Sequence, residues 1–583
     1  MRLVGPTAPP PRAATVNGLL QRAAGARTGV TFVDLRERET FVDWGAVCRG
    51  ARRAAAALAA AGIAPGDRVA LVLRTEPAFL DAFFGTLLAG AVPVPLYPPV
   101  RLGRMDEYLQ ATARMVSVSG ARVILAGGAV RRLLGGVVDR ARPALGCRAV
   151  EDLAGGRDEL ARAAHPDDLA LVQFSSGSTV DPKPVALTHG AVTAHVEALL
   201  ALLQPGDADA LVSWLPLYHD MGLIGGLLGA LAHPGPAVLI PPEHFLARPA
   251  IWLRALSRHR GTIAAAPSFA YAYCVQRVRD ADLAGVDLAP WRVALNGAEP
   301  VSLPVAREFQ QRFARHGFRP EALRPVYGLS EAALAVTFSD ERPEPRGVRL
   351  DPEALARTGA IRDGGREVAS VGRPVPGVEV EVRDGHGRLV GEDRLGRIWV
   401  KGPSLMRGYL GQAEATARAL DAGWLDTGDL GFVRGGELYV HGRAKDVIVV
   451  RGANHAPDEF EGALAGAAGV RPGCAVAAGF DPDGRGEELL ILVERSRESA
   501  LGEAAIAAAV RQAVTERTGV SPHTVAVLAP GSLPRTSSGK MRRAEALRRW
   551  RAGALLPPRP VTALGVAREM ARSALGYARA RRG

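Results

Sequence analysis

The chain is predicted to be an α/β protein. We expect a large N-terminal domain of two helix-covered, mainly parallel sheets plus a small β-barrel subdomain, followed by a small mobile α+β domain. Three observations predict this. The 583 residues are too many for one hydrophobic core. Helix and strand patterns alternate through the first half of the chain, which is typical of parallel βαβ units. Beyond residue 371, short strands are bounded by glycine turns, which favours a small antiparallel barrel or sheet.

The individual elements follow from the spacing of apolar residues. The predicted helices are 46–61, 78–89 and 108–118, and another begins at 191–196. The predicted strands are 67–73, 91–96, 122–125, 169–174, 210–214, 237–240, 262–266, 291–295, 378–382 and 396–400. We place the large domain at residues 1–442, the small lid domain at 443–545 and a basic tail at 546–583.

Composition limits the classes of function. Formal net charge is +12, but the positive charge is spread along the chain, so nucleic acid is not its first explanation. The best candidate for a membrane span, residues 221–242, is interrupted by His233-Pro234-Gly235-Pro236, so no transmembrane segment is expected. The four cysteines are far apart and form no CxxC pair, which fits a reduced cytoplasm and neither a disulfide framework nor a zinc site.

Lysine is rare in this chain. Only four of the 72 basic residues are lysines, namely Lys183, Lys401, Lys445 and Lys540. Because arginine is the default, a lysine here indicates a place where a compact, flexible charge is needed. The tail from Met541 to Gly583 is the most basic part of the chain. It is either a solvated helix or a surface that docks an acidic protein partner.

A loop rich in hydroxyl groups follows the strand at 169–174. It reads Phe174-Ser-Ser-Gly-Ser-Thr-Val-Asp-Pro-Lys-Pro184, and a helix is expected after it. Such a loop can hold phosphate, because backbone N–H groups approach closely at glycine, the hydroxyls donate and a lysine adds charge. The alternative is a polar surface loop, since the stretch matches neither GxGxxG nor GxxxxGK[ST].

Further stretches carry polar residues in positions suited to chemistry. They are Trp214–Gly229, Asn296–Pro300, Tyr327–Glu331, Trp424–Gly431, Gly442–Asp446 with Gly452–Asn454, and Leu533–Lys540. The first opens a glycine-rich apolar helix, which suits an apolar ligand or close helix packing. The second and third follow strands, where α/β sheets bind ligands. Read singly, each of the second to sixth stretches is more often an ordinary turn or surface loop.

Together and in this order, these stretches resemble the adenylate-forming superfamily of acyl-CoA synthetases, luciferases and nonribosomal adenylation domains. The chain looks most like the fatty acyl-AMP ligases at Pro93–Pro99, Trp214–Gly222, Asn296–Pro300 and Tyr327–Thr337. The resemblance implies an enzyme that uses ATP and Mg²⁺ to convert a medium- to long-chain fatty acid into acyl-AMP and pyrophosphate. The acyl group then passes to the phosphopantetheine thiol of an acyl carrier protein, or to free CoA.

The resemblance also implies binding residues. The cofactor phosphates would contact Ser175, Ser176, Gly177, Ser178, Thr179, Lys183 and Ser330. The adenine would contact Gly297, Ala298, Glu299 and Tyr327, with Gly328 in the same cofactor-binding group. The ribose would contact Asp429 and Arg443. The substrate group would comprise Trp214, His219, Asp220, Gly222 and Gly225.

Catalytic roles are implied in the same way. Lys540 would reach the carboxylate oxygen and the α-phosphate during adenylation. His219 would sit beside the substrate carboxylate, and Glu331 would bind Mg²⁺. Lys445 would be the hinge on which the lid domain swings. The chain departs from the family pattern at Val180 and Pro184, where glycine is usual, and Pro184 removes a backbone donor.

The resemblance implies that the acceptor thiol depends on an extra segment of the large domain that restrains domain rotation. Residues Ser339–Ser370 are the candidate, with a helix at 352–357, and a disordered linker is the alternative. We favour an acyl carrier protein, because the motifs resemble carrier-loading ligases and carrier proteins are usually acidic.

Three other readings stay open to different degrees. An enzyme that activates aryl or amino acids would use Asp220 to meet an ammonium group. A catalytically degenerate homologue would act as a scaffold, and the altered phosphate loop is its only support. A serine hydrolase is not favoured, because no GxSxG elbow occurs in the chain.

Overall fold

The computed structural model describes residues 1–99, 102–153, 163–175, 182–342, 344–351, 354–355, 358–450, 453–482, 486–536, 539–559 and 561–582. The predicted α/β fold class is confirmed. The long helices are Trp44–Ala60, Pro77–Leu88, Met105–Ser119, His189–Leu203, Leu303–Phe313, Glu503–Thr518 and Ala563–Arg582. The shorter ones are Val16–Ala23, Gly128–Arg131, Gly135–Ala141, Gly229–Ala232, Pro242–Ala247, Ala250–Arg258, Ser268–Arg277, Ala413–Ala419, Pro457–Ala463 and Arg543–Arg551.

A nine-stranded sheet, called here the large sheet, carries most of the cleft described below. Its strands lie side by side in the order Arg373–Pro374, Ala335–Phe338, Leu323–Gly328, Val293–Asn296, Ile263–Ala266, Leu211–Ser213, Ala237–Leu239, Gly29–Val33 and Glu39–Asp43. The six strands from Leu323–Gly328 to Gly29–Val33 are parallel, and only the edges are antiparallel. Parallel strands end at the same edge, which gathers the turns that follow them.

Aromatic side chains fill the core on one face of the large sheet. Trp252, Trp291, Tyr271 and Phe309 are fully buried between the sheet and its helices. The rings of Trp252 and Trp291 meet edge to face with centroids 5.1 Å apart. Such packing holds the sheet rigid beneath the functional turns.

A second parallel sheet has four strands, Val92–Pro95, Arg68–Val72, Ala121–Ala126 and Cys147–Ala149. Helix Trp44–Ala60 begins where the Asp43 carboxylate accepts the N–H of Ala46. That side chain satisfies one of the donors that a helix N-terminus leaves unpaired. The helix then packs on Pro77–Leu88 in the core that joins the two parallel sheets.

The connection after the hydroxyl-rich loop differs from the prediction. We expected a helix directly after the loop, but a strand, Pro184–Thr188, comes first and pairs antiparallel with Leu169–Phe174. Residues Ser176–Asp181 lie outside the described residues. The apolar run from Val185 to Leu187 is buried, which is consistent with a strand covered on both faces. The loop therefore joins two strands of a hairpin, and helix His189–Leu203 follows with Thr188 as its cap.

Five strands beyond residue 371 and one strand near the N-terminus form a six-stranded antiparallel sheet. Its strands are Arg2–Val4, Glu379–Arg383, Gly396–Lys401, Trp424–Arg434, Leu420–Asp421 and Glu437–Arg443. The N-terminal strand was not predicted, and it pairs with Glu379–Glu381. Three residues are too short for a period-2 signal, so only the tertiary pairing reveals this strand.

The candidate extra segment, Ser339–Ser370, is an ordered part of the large domain where the structure describes it. Strands Gly347–Leu350 and Arg366–Ala369 form an antiparallel pair. Arg307 binds Glu367 through two hydrogen bonds of 3.0 and 2.7 Å. Most of the predicted helix at 352–357 lies outside the described residues. A disordered linker is therefore wrong for the described strands.

The C-terminal region has its own small sheets and cores. Strands Val470–Phe480, Glu488–Arg495 and Thr524–Leu528 form one sheet, and Ile448–Val450 pairs with Ala453–His455. We call residues 443–545 the lid, and their independence as a domain stays a prediction. No helix within the described residues is both long and apolar enough to cross a membrane.

The basic tail folds back onto the large domain. Helix Ala563–Arg582 packs on Gly135–Ala141, where the buried Ser573 hydroxyl accepts the N–H of Gly135 at 2.7 Å. The Tyr577 hydroxyl donates to the carbonyl of Arg131 at 2.7 Å. One face of the tail helix is therefore not solvated, whereas Leu564 and Leu575 on this helix remain exposed.

Candidate functional site

One large cleft lies between the carboxyl edge of the large sheet and the lid. Its volume is about 3220 Å³. The turns that follow strands Ile263–Ala266, Val293–Asn296 and Leu323–Gly328 line it, and residues from the lid close it. Parallel α/β sheets bind ligands at this edge.

Asp429 lies at one end of the cleft with two partners. Strands Trp424–Arg434 and Glu437–Arg443 pair so that Asp429 is directly opposite Arg443. The Arg443 Nε lies 3.3 Å from Asp429 Oδ1, and the Tyr327 hydroxyl donates to Oδ2 at 2.6 Å. Burial raises the pKa of Asp429, whereas Arg443 and the Tyr327 hydroxyl lower it. The carboxylate is thus held in one orientation.

The phosphate loop is described only at its two ends. The N–H of Lys183 donates to Ser175 Oγ at 3.2 Å, and the N–H of Ser175 donates to the Lys183 carbonyl at 2.9 Å. Both residues line the cleft. The predicted phosphate contacts Ser176, Gly177, Ser178 and Thr179 lie outside the described residues. The hairpin therefore brings the two described ends of the loop to the cleft.

Glu331 and Lys183 meet at a residue that the sequence reading missed, Tyr409. The Tyr409 hydroxyl donates to Glu331 Oε1 at 2.9 Å, and Lys183 Nζ lies 4.4 Å from the centroid of its ring. Burial and the neighbouring Glu331 raise the pKa of Tyr409, so the phenol stays protonated and donates. The only sequence signal was an aromatic residue after a glycine, at Gly408-Tyr409.

Asp220 joins two of the predicted motifs. Its Oδ1 accepts the N–H of Met221 at 2.7 Å, and its Oδ2 accepts the hydroxyl of Ser330. The pKa of the adjacent His219 is lowered to about 4, mainly by burial, with Asp220 opposing the shift and the charge of Lys540 adding to it. His219 is therefore neutral at pH 7 and offers a neutral donor or acceptor to a substrate.

Lys540 enters the cleft from the lid. Burial lowers the pKa of Lys540, while the carboxylates of Asp220 and Glu299 act in the opposite direction. Glu299 Oε1 accepts the N–H of Phe269 at 2.7 Å. A Cβ added at Gly539 would lie 3.9 Å from Phe269 Cζ, so the lid comes close to the ring of Phe269 beside Lys540.

Glu299 lines the cleft, and its contact with the adenine stays a prediction. Its carboxylate accepts the N–H of Phe269 in helix Ser268–Arg277 and interacts electrostatically with Lys540. Gly297 is buried against Val326 and is not among the residues that line the cleft. Ala298 lines the cleft with φ +68, a backbone conformation that a residue with a side chain rarely adopts. Such strained residues cluster at functional sites.

Gly328 marks an irregularity in the strand that carries Tyr327. The pairing with Ala335–Phe338 shifts register between these two residues. A Cβ at Gly328 would lie 1.8 Å from the carbonyl oxygen of Leu334, so only glycine fits. The bulge brings residues 327–331 to the cleft.

Apolar groups line the part of the cleft beyond His219. Residues Met221–Leu228 form a π-helix, a rare conformation that is frequent at functional sites. Gly222 and Gly225 on this helix, and Trp214 before it, line the cleft. The remaining apolar lining includes Leu199, Leu203, Leu211, Ile263, Leu295, Val326, Leu334 and Phe338. A Cβ at Gly225 would lie 2.7 Å from Leu334 Cδ2, so this glycine leaves room beside a residue of the cleft lining, whereas a Cβ at Gly222 would meet the carbonyl oxygen of Pro216 at 2.3 Å.

Lys445 lies between the large domain and the lid. It belongs to the turn Ala444–Asp446, between strand Glu437–Arg443 and strand Ile448–Val450, and its side chain is exposed. A short turn between two strands is suited to absorb a backbone rotation. The role of hinge stays a prediction.

The residues present fit a magnesium ion. Mg²⁺ is usually held by one or two carboxylates together with substrate phosphates. In the described part of the chain, no group of three His, Cys, Asp or Glu side chains could hold a metal by protein ligands alone. A bound Mg²⁺ would therefore depend on substrate phosphates as well. Within that same part, the structure shows a side-chain hydrogen bond at only one carboxylate oxygen of Glu331, which is Oε1.

Comparison with known proteins shows which family the chain belongs to. The model of the AMP-binding enzyme family matches residues 20–410. A putative acyl-CoA synthetase of Caulobacter vibrioides is 34% identical over 551 residues, covering 92% of this chain and 96% of the relative. The medium-chain-fatty-acid–acyl-carrier-protein ligase JamA of Moorena producens is 32% identical over 514 residues, covering 82% and 84%.

A solved structure from a study of fatty acyl-adenylate ligases of E. coli and L. pneumophila has a TM-score of 0.88. It is 33% identical and covers 93% of this chain and 99% of that chain. The fold and the cleft are therefore those of an adenylate-forming ligase. More particularly, the chain belongs to the AMP-binding enzyme family, and its predicted similarity to the fatty acyl-AMP ligases is confirmed.

Proposed function

We propose that this protein uses ATP to activate a medium- to long-chain fatty acid as acyl-AMP, and then transfers the acyl group to the phosphopantetheine thiol of an acyl carrier protein. The observation that carries this proposal is that Lys540 of the lid lines the same cleft as His219, Asp220 and the apolar residues, and that its charge interacts with both His219 and Asp220. An apolar chain would lie along Gly222 and Gly225, which brings its carboxylate toward His219 and Lys540.

In the first step, a carboxylate oxygen attacks the α-phosphorus of ATP, and the bond to the β-phosphate oxygen breaks to release pyrophosphate. The ionised carboxylate is already a nucleophile, so no general base is needed. The enzyme has to bring two anions together and stabilise the charge on the leaving group. Lys540 supplies positive charge at the carboxylate, and Lys183 supplies it at the phosphates. Mg²⁺, when bound at Glu331, would neutralise phosphate charge.

The nucleoside would lie at the other end of the cleft. The Asp429 carboxylate, oriented by Tyr327 and Arg443, is suited to accept both ribose hydroxyls. The turn at Ala298 offers backbone groups to the adenine. In the second step, the thiol sulfur attacks the acyl carbonyl and AMP leaves.

The choice of acceptor is supported by the ordered extra segment. Its strand Arg366–Ala369 is bound to helix Leu303–Phe313 through Arg307 and Glu367, and Arg342 pairs with the buried Glu437. A segment docked on the large domain is suited to restrain rotation of the lid. The relative JamA is named as a carrier-protein ligase, whereas the Caulobacter relative is named as a putative acyl-CoA synthetase. Free CoA is therefore the second candidate acceptor.

One experiment separates the candidates. The protein is incubated with ATP, Mg²⁺, laurate, CoA and a phosphopantetheinylated acyl carrier protein, and the products are weighed by mass spectrometry. We expect AMP, pyrophosphate and a carrier protein that has gained the lauroyl group. Efficient formation of lauroyl-CoA without lauroylation of the carrier protein would replace the proposed acceptor by CoA. A protein that binds ATP but forms no adenylate with any fatty, aryl or amino acid would be a scaffold.

A substitution at Gly225 tests the proposed acyl channel. A Cβ at this position would lie 2.7 Å from Leu334 Cδ2, so Gly225→Val should push Leu334 into the channel. We expect adenylation of laurate to fall about tenfold to a hundredfold, the scale of one or two methylene groups that no longer fit, with hexanoate affected less. Pyrophosphate exchange with acids of increasing length measures this.

Gly229→Val is the matched control. A Cβ at Gly229 meets only the Ile224 carbonyl oxygen, at 3.8 Å, and the residue does not line the cleft. Equal losses for hexanoate and laurate in Gly225→Val would show that the chain lies elsewhere.

A further inference from the structure

Tyr409 contacts Glu331 and Lys183, the two charged groups that the proposed function assigns to Mg²⁺ and to the phosphates. Its side chain is only 7% exposed. Its hydroxyl binds Glu331 Oε1, and its ring face lies against Lys183 Nζ. Glu331 lies 78 residues before Tyr409 in the sequence. Lys183 directly precedes strand Pro184–Thr188 of the hairpin that carries the phosphate loop, called here the phosphate hairpin. A single side chain therefore contacts two separate motifs.

The backbone around Tyr409 is fixed from three directions. Tyr409 pairs with Val185 in strand Pro184–Thr188, which leads out of the phosphate loop. Its N–H donates to Thr416 Oγ1 at 2.9 Å. The N–H of Met406 donates to the carbonyl of Glu331 at 2.8 Å. The backbone that carries the ring is therefore tied both to the phosphate hairpin and to the Glu331 turn.

Gly408 lets the short strand Gly408–Tyr409 lie close to Thr416. The φ angle of Gly408 is +152°, and a Cβ there would lie 2.6 Å from Thr416 Cγ2. Any other residue would push the strand away from Thr416 and rotate Tyr409. The local sequence is thus built to hold the tyrosine in place.

We propose that Tyr409 is a positioning residue for adenylation, with separate tasks for its hydroxyl and its ring. The hydroxyl orients the Glu331 carboxylate by binding one oxygen and leaving Oε2 directed to the cation. The ring holds the Lys183 ammonium beside the phosphate loop by a cation–π contact. This inference rests on the proposed function, because it assumes that ATP and Mg²⁺ occupy this end of the cleft.

The two tasks predict different defects. Tyr409→Phe removes the hydroxyl and keeps the ring, so the Mg²⁺ concentration for half-maximal ATP binding should rise about tenfold, the scale of one hydrogen bond to a charged group. ATP affinity at saturating Mg²⁺ should stay within about twofold, since the cation–π contact remains. Tyr409→Leu removes both contacts, so ATP affinity at saturating Mg²⁺ should also fall about threefold to tenfold.

The readout is calorimetric titration of ATP into the full-length protein at several Mg²⁺ concentrations, without a fatty acid. Tyr271→Phe is the matched control, because it also removes a buried tyrosine hydroxyl, which donates to the Leu295 carbonyl at 2.9 Å. It should not change the Mg²⁺ dependence. Lys183→Met removes the partner of the ring, so in that background Tyr409→Leu should cause no further fall in ATP affinity at saturating Mg²⁺.

A double-mutant cycle separates positioning from general destabilisation. In a Glu331→Ala background, Tyr409→Phe should cause no further change in the Mg²⁺ dependence, because its partner is gone. Tyr409→Phe with an unchanged Mg²⁺ dependence, or with the same effect in both backgrounds, would overturn the assignment. Because these titrations need no acid, a protein that binds Mg²⁺ and ATP as expected but makes no acyl-AMP would refute the proposed function alone.

Discussion

Replacing Lys540 by alanine is expected to lower the rate of adenylation roughly 10²–10³-fold, by analogy with the loss of one oxyanion-stabilising donor. Lys540 is the group that the lid brings to His219 and Asp220. The loss should appear in the turnover rate more than in the affinity for ATP, because the charge acts on the reacting carboxylate and α-phosphate. Pyrophosphate exchange with laurate measures the first step alone.

Lys401→Ala is the matched control for this variant. Lys401 is one of the four lysines, is exposed on strand Gly396–Lys401 and does not line the cleft. Its loss should leave the exchange rate unchanged. An intact exchange rate in Lys540→Ala would mean that the contact with the cleft has no part in adenylation, and the proposed mechanism would lose its central group.

The second large effect is expected for Asp429→Ala, which should raise the KM for ATP about a hundredfold. Two hydrogen bonds from ribose hydroxyls to a carboxylate would be lost, at about 1.5–3 kcal/mol for each such bond, and the total is reduced because water partly replaces the carboxylate. The turnover rate at saturating ATP should change much less, because ribose binding is the same before and during the reaction.

Asp384→Ala controls for the loss of an ordinary turn aspartate. Asp384 is partly exposed in the turn after strand Glu379–Arg383, where it accepts the N–H groups of His386 and Arg388. It should not change the KM for ATP. If Asp429→Ala also left the KM unchanged, Asp429 would be a structural partner of Arg443 and Tyr327 and no ribose ligand.

The pKa of Asp429 adds a pH dependence. Burial raises this pKa above the usual aspartate range, and the ionised form is the one that accepts ribose hydroxyls. As pH falls, the wild-type affinity for ATP should therefore begin to weaken at a higher pH than an ordinary aspartate would dictate. Titrations of ATP at decreasing pH measure this, with Asp429→Asn as the variant that lacks the transition.

Much of the large domain could be predicted from local patterns. Strand Arg68–Val72 and helix Pro77–Leu88 lie where apolar spacing placed them, within one or two residues. Strand Pro184–Thr188 was missed, because its short apolar run Val185–Leu187 has no period-2 alternation and leads directly into the following helix. The N-terminal strand Arg2–Val4 was missed because its partner lies more than 370 residues away.

The sequence alone determined which chemical groups the site has and in what order they occur, since the serine-rich loop, His219, Glu331, Asp429 and Lys540 lie in short recognisable motifs. Only the tertiary structure decided which groups touch. Tyr327 and Asp429 are 102 residues apart, and Glu331 and Tyr409 are 78 apart. Local spacing specifies a helix or a strand, whereas such pairs form only when the sheets pack, so Tyr409 carried no recognisable signal until the chain was folded.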